Sequence, residues 1–129
     1  LYFREIKFTT KYGEPSSKLI VGKINNAEVF ILARHGKGHI LPPTQVNYRA
    51  NIQVLKDQKV NYILATTACG SLREEIGRGD FVILDQFIDF TRHRKISFHE
   101  DFKDGIKHTS MANPFDEKLR KVYIEKYNS

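Results

Sequence analysis

The chain has 129 residues, a formal net charge of +6 and a single cysteine. That length supports one modest hydrophobic core and excludes two independent ones, the lone Cys69 excludes an internal disulfide, and no apolar run is long enough to span a bilayer. The basic residues are interleaved with acids rather than gathered in one block, a distribution that suits a phosphate-sized anion. One α/β unit in a reducing, soluble compartment is the expectation. The sequence opens on Leu1-Tyr2-Phe3 with no initiator Met, so further chain is expected before it.

From Arg4 to Thr10, Ile6 and Phe8 alternate with Glu5, Lys7 and Thr9, the period of a half-buried strand. The Gly-Glu-Pro-Ser turn at 13 to 16 breaks it. Two further apolar runs, Leu19 to Ile24 and Ala27 to Ala33, are separated by Asn25-Asn26, which tolerate positive φ, and they read as antiparallel neighbours. The second run stops at a loop, Arg34-His35-Gly36-Lys37-Gly38-His39, that holds no carboxylate. Thr44 is placed to cap a helix running to about Lys59, with an apolar face of Val46, Tyr48, Ala50, Ile52, Val54 and Leu55.

Tyr62 to Leu72 reads as a buried strand ending in small residues, and Gly77-Arg78-Gly79-Asp80 as a turn into a second strand, Phe81 to Gln86. Hydrophobic Phe81, Val82, Ile83 and Leu84 run consecutively, so that strand belongs inside a sheet covered on both faces. Thr91 to Ser110 is polar and aperiodic, too long for a simple connection. Asn113 is placed to cap a last helix, with Pro114 at its first position, Asp116 reaching back, and Leu119, Val122, Tyr123 and Tyr127 at helical spacing. A parallel sheet normally continues with another strand after such a helix, so more chain is expected beyond Ser129.

Two stretches are candidates for chemistry. Arg34 and His35 sit where an apolar strand gives out, the place where ligands gather in open α/β sheets, and Arg can grip a phosphate with two parallel donors while His adds a third. Thr67 and Ala68 end another strand with a hydroxyl and unobstructed N–H groups, which also suits an anion. The bland alternatives are a surface turn at 34 to 39 and a core strand ending in an ordinary turn. Cys69 has no neighbouring base and reads as a small, buried, unreactive filler close to a ligand. His93, His99 and His108 lack zinc spacing, so no metal is expected. Thr91-Arg92-His93-Arg94-Lys95 is the densest basic run, but nucleic acid is a weak second choice for charges that are usually just solvated.

Taken together, RHGKGH (34 to 39), VNYRAN (46 to 51), TTACGSLREEI (66 to 76), GDFVILDQFIDFT (79 to 91) and MANPF (111 to 115) resemble the methylthioadenosine phosphorylases of the purine nucleoside phosphorylase superfamily. The resemblance covers essentially the whole chain. It implies the three-layer α/β fold of that family with a mixed central sheet, here its N-terminal to middle portion (1 to 129), and a pentosyltransferase in which phosphate displaces adenine from 5'-methylthioadenosine. It further implies that Arg34, His35, Thr67 and the Ala68 backbone bind phosphate and that Cys69 and Gly70 line the nucleoside side. His108 matches a position that reaches into a neighbouring subunit of a homotrimer.

No cofactor beyond the co-substrate phosphate is implied, and no membrane partner; the cytoplasm, extending to the nucleus, is the expected location. Relative to the family, the Gly-rich phosphate loop expected before Leu1 and the base-engaging Asp expected after Ser129 are absent from these residues, so none of them is assigned to catalysis. A non-catalytic remnant serving as a structural or interaction subunit is the rival reading.

Overall fold

The computed structural model describes residues 3–103 and 105–127, so the expectations about Leu1 and Ser129 lie outside the described residues. These residues gather into two compact units, Leu1–Leu64 with Thr91–Glu100, and Ala65–Phe90 with Asp101–Ser129.

The first unit is built on a three-stranded antiparallel sheet, β1 (Phe3–Ile6), β2 (Leu19–Ile24) and β3 (Ala27–Leu32), in the order β1-β2-β3. The expected hairpin is present, and Asn25 takes a φ of 52° at its turn, a conformation Asn tolerates better than most residues. Ile6 pairs with Leu19 and Leu19 with Leu32, while Arg4 pairs with Val21 and Val21 with Phe30. Opposed residues share a face, so this register lines one side of the sheet with Ile6, Leu19, Val21, Phe30 and Leu32. Leu19, Val21 and Val54 form the buried cluster, and Phe8 and Leu55 pack against it. On the opposite side the Phe3 ring lies across Gly22, where a Cβ would come within 2.1 Å of a ring carbon. Only glycine permits that approach.

The first helix, α1, spans Tyr48–Asp57, three residues after a 3-10 turn at Pro43–Gln45. Its cap is Asn47, not Thr44: Asn47 Oδ1 accepts from the Ala50 N–H at 3.1 Å, while its Nδ2 donates to the Tyr12 carbonyl at 2.7 Å. Thr44 is caught instead inside the 3-10 turn. Lys59, at a φ of 55°, ends the helix: its N–H donates to the Lys56 carbonyl and the Val60 N–H to the Leu55 carbonyl, the paired bonds of a Schellman motif. Ala50 and Val54 face the core as expected, whereas Ile52 is exposed.

Asn51 is a buried polar residue with both ends satisfied: Oδ1 accepts from the Ser16 N–H at 2.8 Å and Nδ2 donates to Ser16 Oγ at 2.9 Å. Asn47 and Asn51, one turn apart, thus pin the 12 to 16 turn onto α1. Asn51→Ala leaves both Ser16 groups without these partners and is expected to cost about 1–3 kcal/mol. Urea unfolding followed by circular dichroism measures it, and unchanged stability would show that Ser16 finds equivalent partners elsewhere.

Residues 91–100, irregular as expected, belong to this unit through Arg49. The Arg49 side chain, 16% exposed, pairs with Glu100 at 2.9 Å, donates to the Ser97 carbonyl at 3.4 Å and lies over the Tyr12 ring, which meets Phe98 edge-on. Lys95 and then Arg49 hold the Glu100 carboxyl below the usual carboxylate range. Arg94 stacks on Tyr48 at 4.2 Å. Two charges of the basic run, Arg94 and Lys95, therefore have internal work.

The second unit contains α2 (Glu117–Tyr127) and no strand among its described residues. The expected strands at 62 to 72 and 81 to 86 are not formed. Those segments have neither a ladder partner nor a covering layer among the described residues, and Tyr62, Leu64, Phe81 and Val82 stay exposed. An apolar, β-branched run states what environment it suits; it does not supply the partner backbone that makes it a strand. The 77–80 turn is present, with the Gly77 N–H donating to Asp80 Oδ2 at 2.8 Å and Gly79 at a φ of 93°.

The last helix also begins later than the Asn113 cap implied. Asp116 caps it, accepting from the Leu119 N–H at 2.9 Å. Arg120 ties this helix to the preceding segment by donating to the Leu84 carbonyl at 2.7 Å, and Tyr127 meets Phe81 edge-on. No described helix is long and apolar enough to cross a membrane.

Candidate functional site

The loop after β3 is built by tight turns. Gly36 N–H donates to the Ala33 carbonyl at 2.9 Å and His39 N–H to the Gly36 carbonyl at 3.1 Å, with Gly36, Gly38 and His39 at φ of 78°, 81° and 58°. Gly36 is buried, and a Cβ there would sit 3.4 Å from the Ser16 carbonyl oxygen. The loop closes through two bonds between the same residues: Leu41 N–H donates to the His35 carbonyl at 2.9 Å, and His35 Nδ1 donates to the Leu41 carbonyl at 2.8 Å. The His35 imidazole is thereby held by a fixed backbone oxygen, and His39 stacks on it with ring centroids 4.6 Å apart.

Arg34, beside it, is half-buried and has no hydrogen-bond or ion-pair partner among the described residues. A guanidinium partly removed from water with no carboxylate beside it leaves a two-pronged donor set for an incoming anion. Lys37 points its charge elsewhere, to Glu5 on β1 at 3.2 Å. That contact first, then Lys18, holds the Glu5 carboxyl below the usual carboxylate range, so this carboxylate is already paired.

The other sequence candidates lie in the second unit. Thr67, Ala68, Cys69 and Gly70 follow one another along an exposed, irregular segment, and nothing lies within 4 Å of a Cβ built at Gly70. Cys69 is exposed and not the buried filler its surroundings in sequence suggested, because the strand that would have enclosed it is not formed. His108 is exposed as well, in a stretch without helix or strand. Arg34 and His35 are thus presented together by one closed loop, whereas 67–70 and His108 are presented as open chain.

Sequence reasoning missed the clasp between His35 and Leu41 and the role of Asn47 and Asn51. The signal for the first was two glycines within four positions of a histidine. For the second it was two asparagines at i and i+4 on a helix that packs against a Gly-Pro turn.

The chain is similar to proteins named S-methyl-5'-thioadenosine phosphorylase. It is 50% identical over 124 residues to the protein of Saccharolobus solfataricus, covering 95% of this chain and 44% of that one. With the protein of Danio rerio it shares 50% identity over 119 residues, 90% of this chain and 42% of that one. Among solved structures, the methylthioadenosine phosphorylase from Schistosoma mansoni in complex with tubercidin superposes with a TM-score of 0.90 at 43% identity, covering 99% of this chain and 46% of that one. The chain therefore spans less than half the length of the relatives it matches, and the α/β fold expected from the resemblance is that of its structural neighbours. The sequence model of the phosphorylase superfamily matches residues 2–128, and the chain belongs to that family.

Proposed function

We propose that these residues are the N-terminal to middle portion of a phosphorylase domain, and that the complete protein, of its relatives' length, cleaves 5'-methylthioadenosine with phosphate to adenine and 5-methylthioribose 1-phosphate. The observation that carries this reading is the half-buried Arg34, without a hydrogen-bond or ion-pair partner among the described residues, next to a His35 held by the Leu41 carbonyl, in a chain 50% identical to a protein named S-methyl-5'-thioadenosine phosphorylase.

Arg34 and His35 hold the phosphate, and the Thr67 hydroxyl and Ala68 N–H complete its cradle. Cys69 and Gly70 line the nucleoside. His108 enters the pocket of a neighbouring subunit in a homotrimer. Phosphate oxygen forms a bond to the anomeric carbon as the C–N bond breaks, and the bonding pair leaves with adenine. The sugar becomes cation-like in between, so holding the nucleophilic anion in position supplies the rate, with no covalent enzyme intermediate and no cofactor. The reaction serves purine and methionine salvage, and the proposed location is the cytoplasm, with the nucleus second to it.

Adenine release from methylthioadenosine, followed with and without phosphate, tests the reading. The complete protein is expected to release adenine only when phosphate is present. The 129-residue chain by itself is expected to release none above a blank, because the group that assists departure of the base lies in the remainder of the family domain. Release by the short chain would overturn that division of labour, and no release by the complete protein would favour a structural or interaction subunit.

A further inference from the structure

The clasp that closes the 34–41 loop also fixes where the His35 proton resides. A carbonyl oxygen has lone pairs and no hydrogen to give, so at 2.8 Å from the Leu41 carbonyl the His35 Nδ1 must be the donor. In the neutral imidazole the other nitrogen, Nε2, is then a lone pair, an acceptor and not a donor. The charged and titratable groups with contacts to the loop among the described residues include Lys37 and His39 within it, Glu5 on β1, and, through Glu5, Lys18 ahead of β2, with Arg34 beside His35. Glu5 is occupied by the two lysines, and no ion pair to His35 is formed among the described residues. His39 lies nearly parallel to the His35 ring, at 24°.

We propose that His35, tautomerically fixed by the Leu41 carbonyl, makes this loop selective for oxyanions that carry their own proton, such as hydrogen phosphate and hydrogen arsenate, over proton-free oxyanions of equal charge such as sulfate. This rests on the reading of Arg34 and His35 as a phosphate site. Hydrogen phosphate donates its O–H to Nε2 while its remaining oxygens accept from Arg34. Sulfate, equal in charge and shape, sets an oxygen lone pair against the Nε2 lone pair.

The test is titration calorimetry of the complete protein with sodium phosphate, arsenate, sulfate and selenate. At about pH 8.5, where phosphate and sulfate are both dianions, phosphate and arsenate are expected to bind at least about tenfold tighter than sulfate and selenate, the effect of one mismatched hydrogen bond. In His35→Gln, whose amide can both donate and accept, the preference at the same pH is expected to fall to within about twofold. Equal binding of phosphate and sulfate by the wild type at about pH 8.5 would overturn the proposal while leaving the phosphate site standing. Absence of phosphate binding would overturn both.

Discussion

Arg34→Lys in the complete protein is expected to raise the phosphate KM by roughly ten- to a hundredfold while the methylthioadenosine KM stays close to the wild-type value. Lysine keeps the charge but replaces a planar fork of parallel donors with a single compact ammonium, and one charge-assisted hydrogen bond is worth about 1.5–3 kcal/mol. The structure gives the substitution a clean reading. Arg34 makes no ion pair or hydrogen bond among the described residues, so its replacement breaks no such bond there, and the turns that shape the loop are made by backbone groups of 33, 35, 36, 39 and 41. A loss of phosphate affinity then reports the guanidinium and not a collapsed loop. Steady-state kinetics with each substrate varied in turn would measure it, and an unchanged phosphate KM would make Arg34 a bystander.

What was legible in the sequence was whatever local pattern decides. The β2–β3 hairpin follows from two apolar runs and an Asn-Asn turn. The start of α1 was not, because Thr44 and Asn47 are both acceptable caps and the choice was made from outside the helix, by the Tyr12 and Glu14 carbonyls that Asn47 Nδ2 also satisfies. Arg49 was equally silent: an arginine on a helix reads as solvated, and only the fold brings Tyr12, Ser97 and Glu100 to it.

The segments 62–72 and 81–86 were misread for the converse reason. Their composition reports a buried, paired setting that must come from other strands, and these residues do not provide them. The candidate site divides along the same line. Arg34 and His35 belong to a loop that closes on itself through bonds of short sequence separation, and it is formed here. Thr67 to Gly70 depend on a strand for their placement, and that strand is absent.

Mixing His108→Ala subunits with Arg34→Ala subunits of the complete protein is expected to restore phosphorolysis that neither variant shows alone. His108 is exposed, without a partner among the described residues, in a long irregular segment whose neighbour at 91–100 is already committed to Arg49 and Tyr48. A stretch of that length without helix or strand is more often functional than connective, and the family resemblance gives the position to a contact across a trimer. In the proposed cyclic trimer each interface is heterologous, so a pocket would take Arg34 from one chain and His108 from the next.

Each variant trimer has every pocket damaged, whereas a mixed trimer contains some pockets with both residues intact. The experiment co-expresses the two variants under separate tags, isolates the mixed species and compares its turnover with the summed turnover of the parents. It requires His108→Ala alone to be strongly impaired, which the same assay establishes. Turnover no greater than the sum would place His108 in its own subunit's pocket or outside the site altogether.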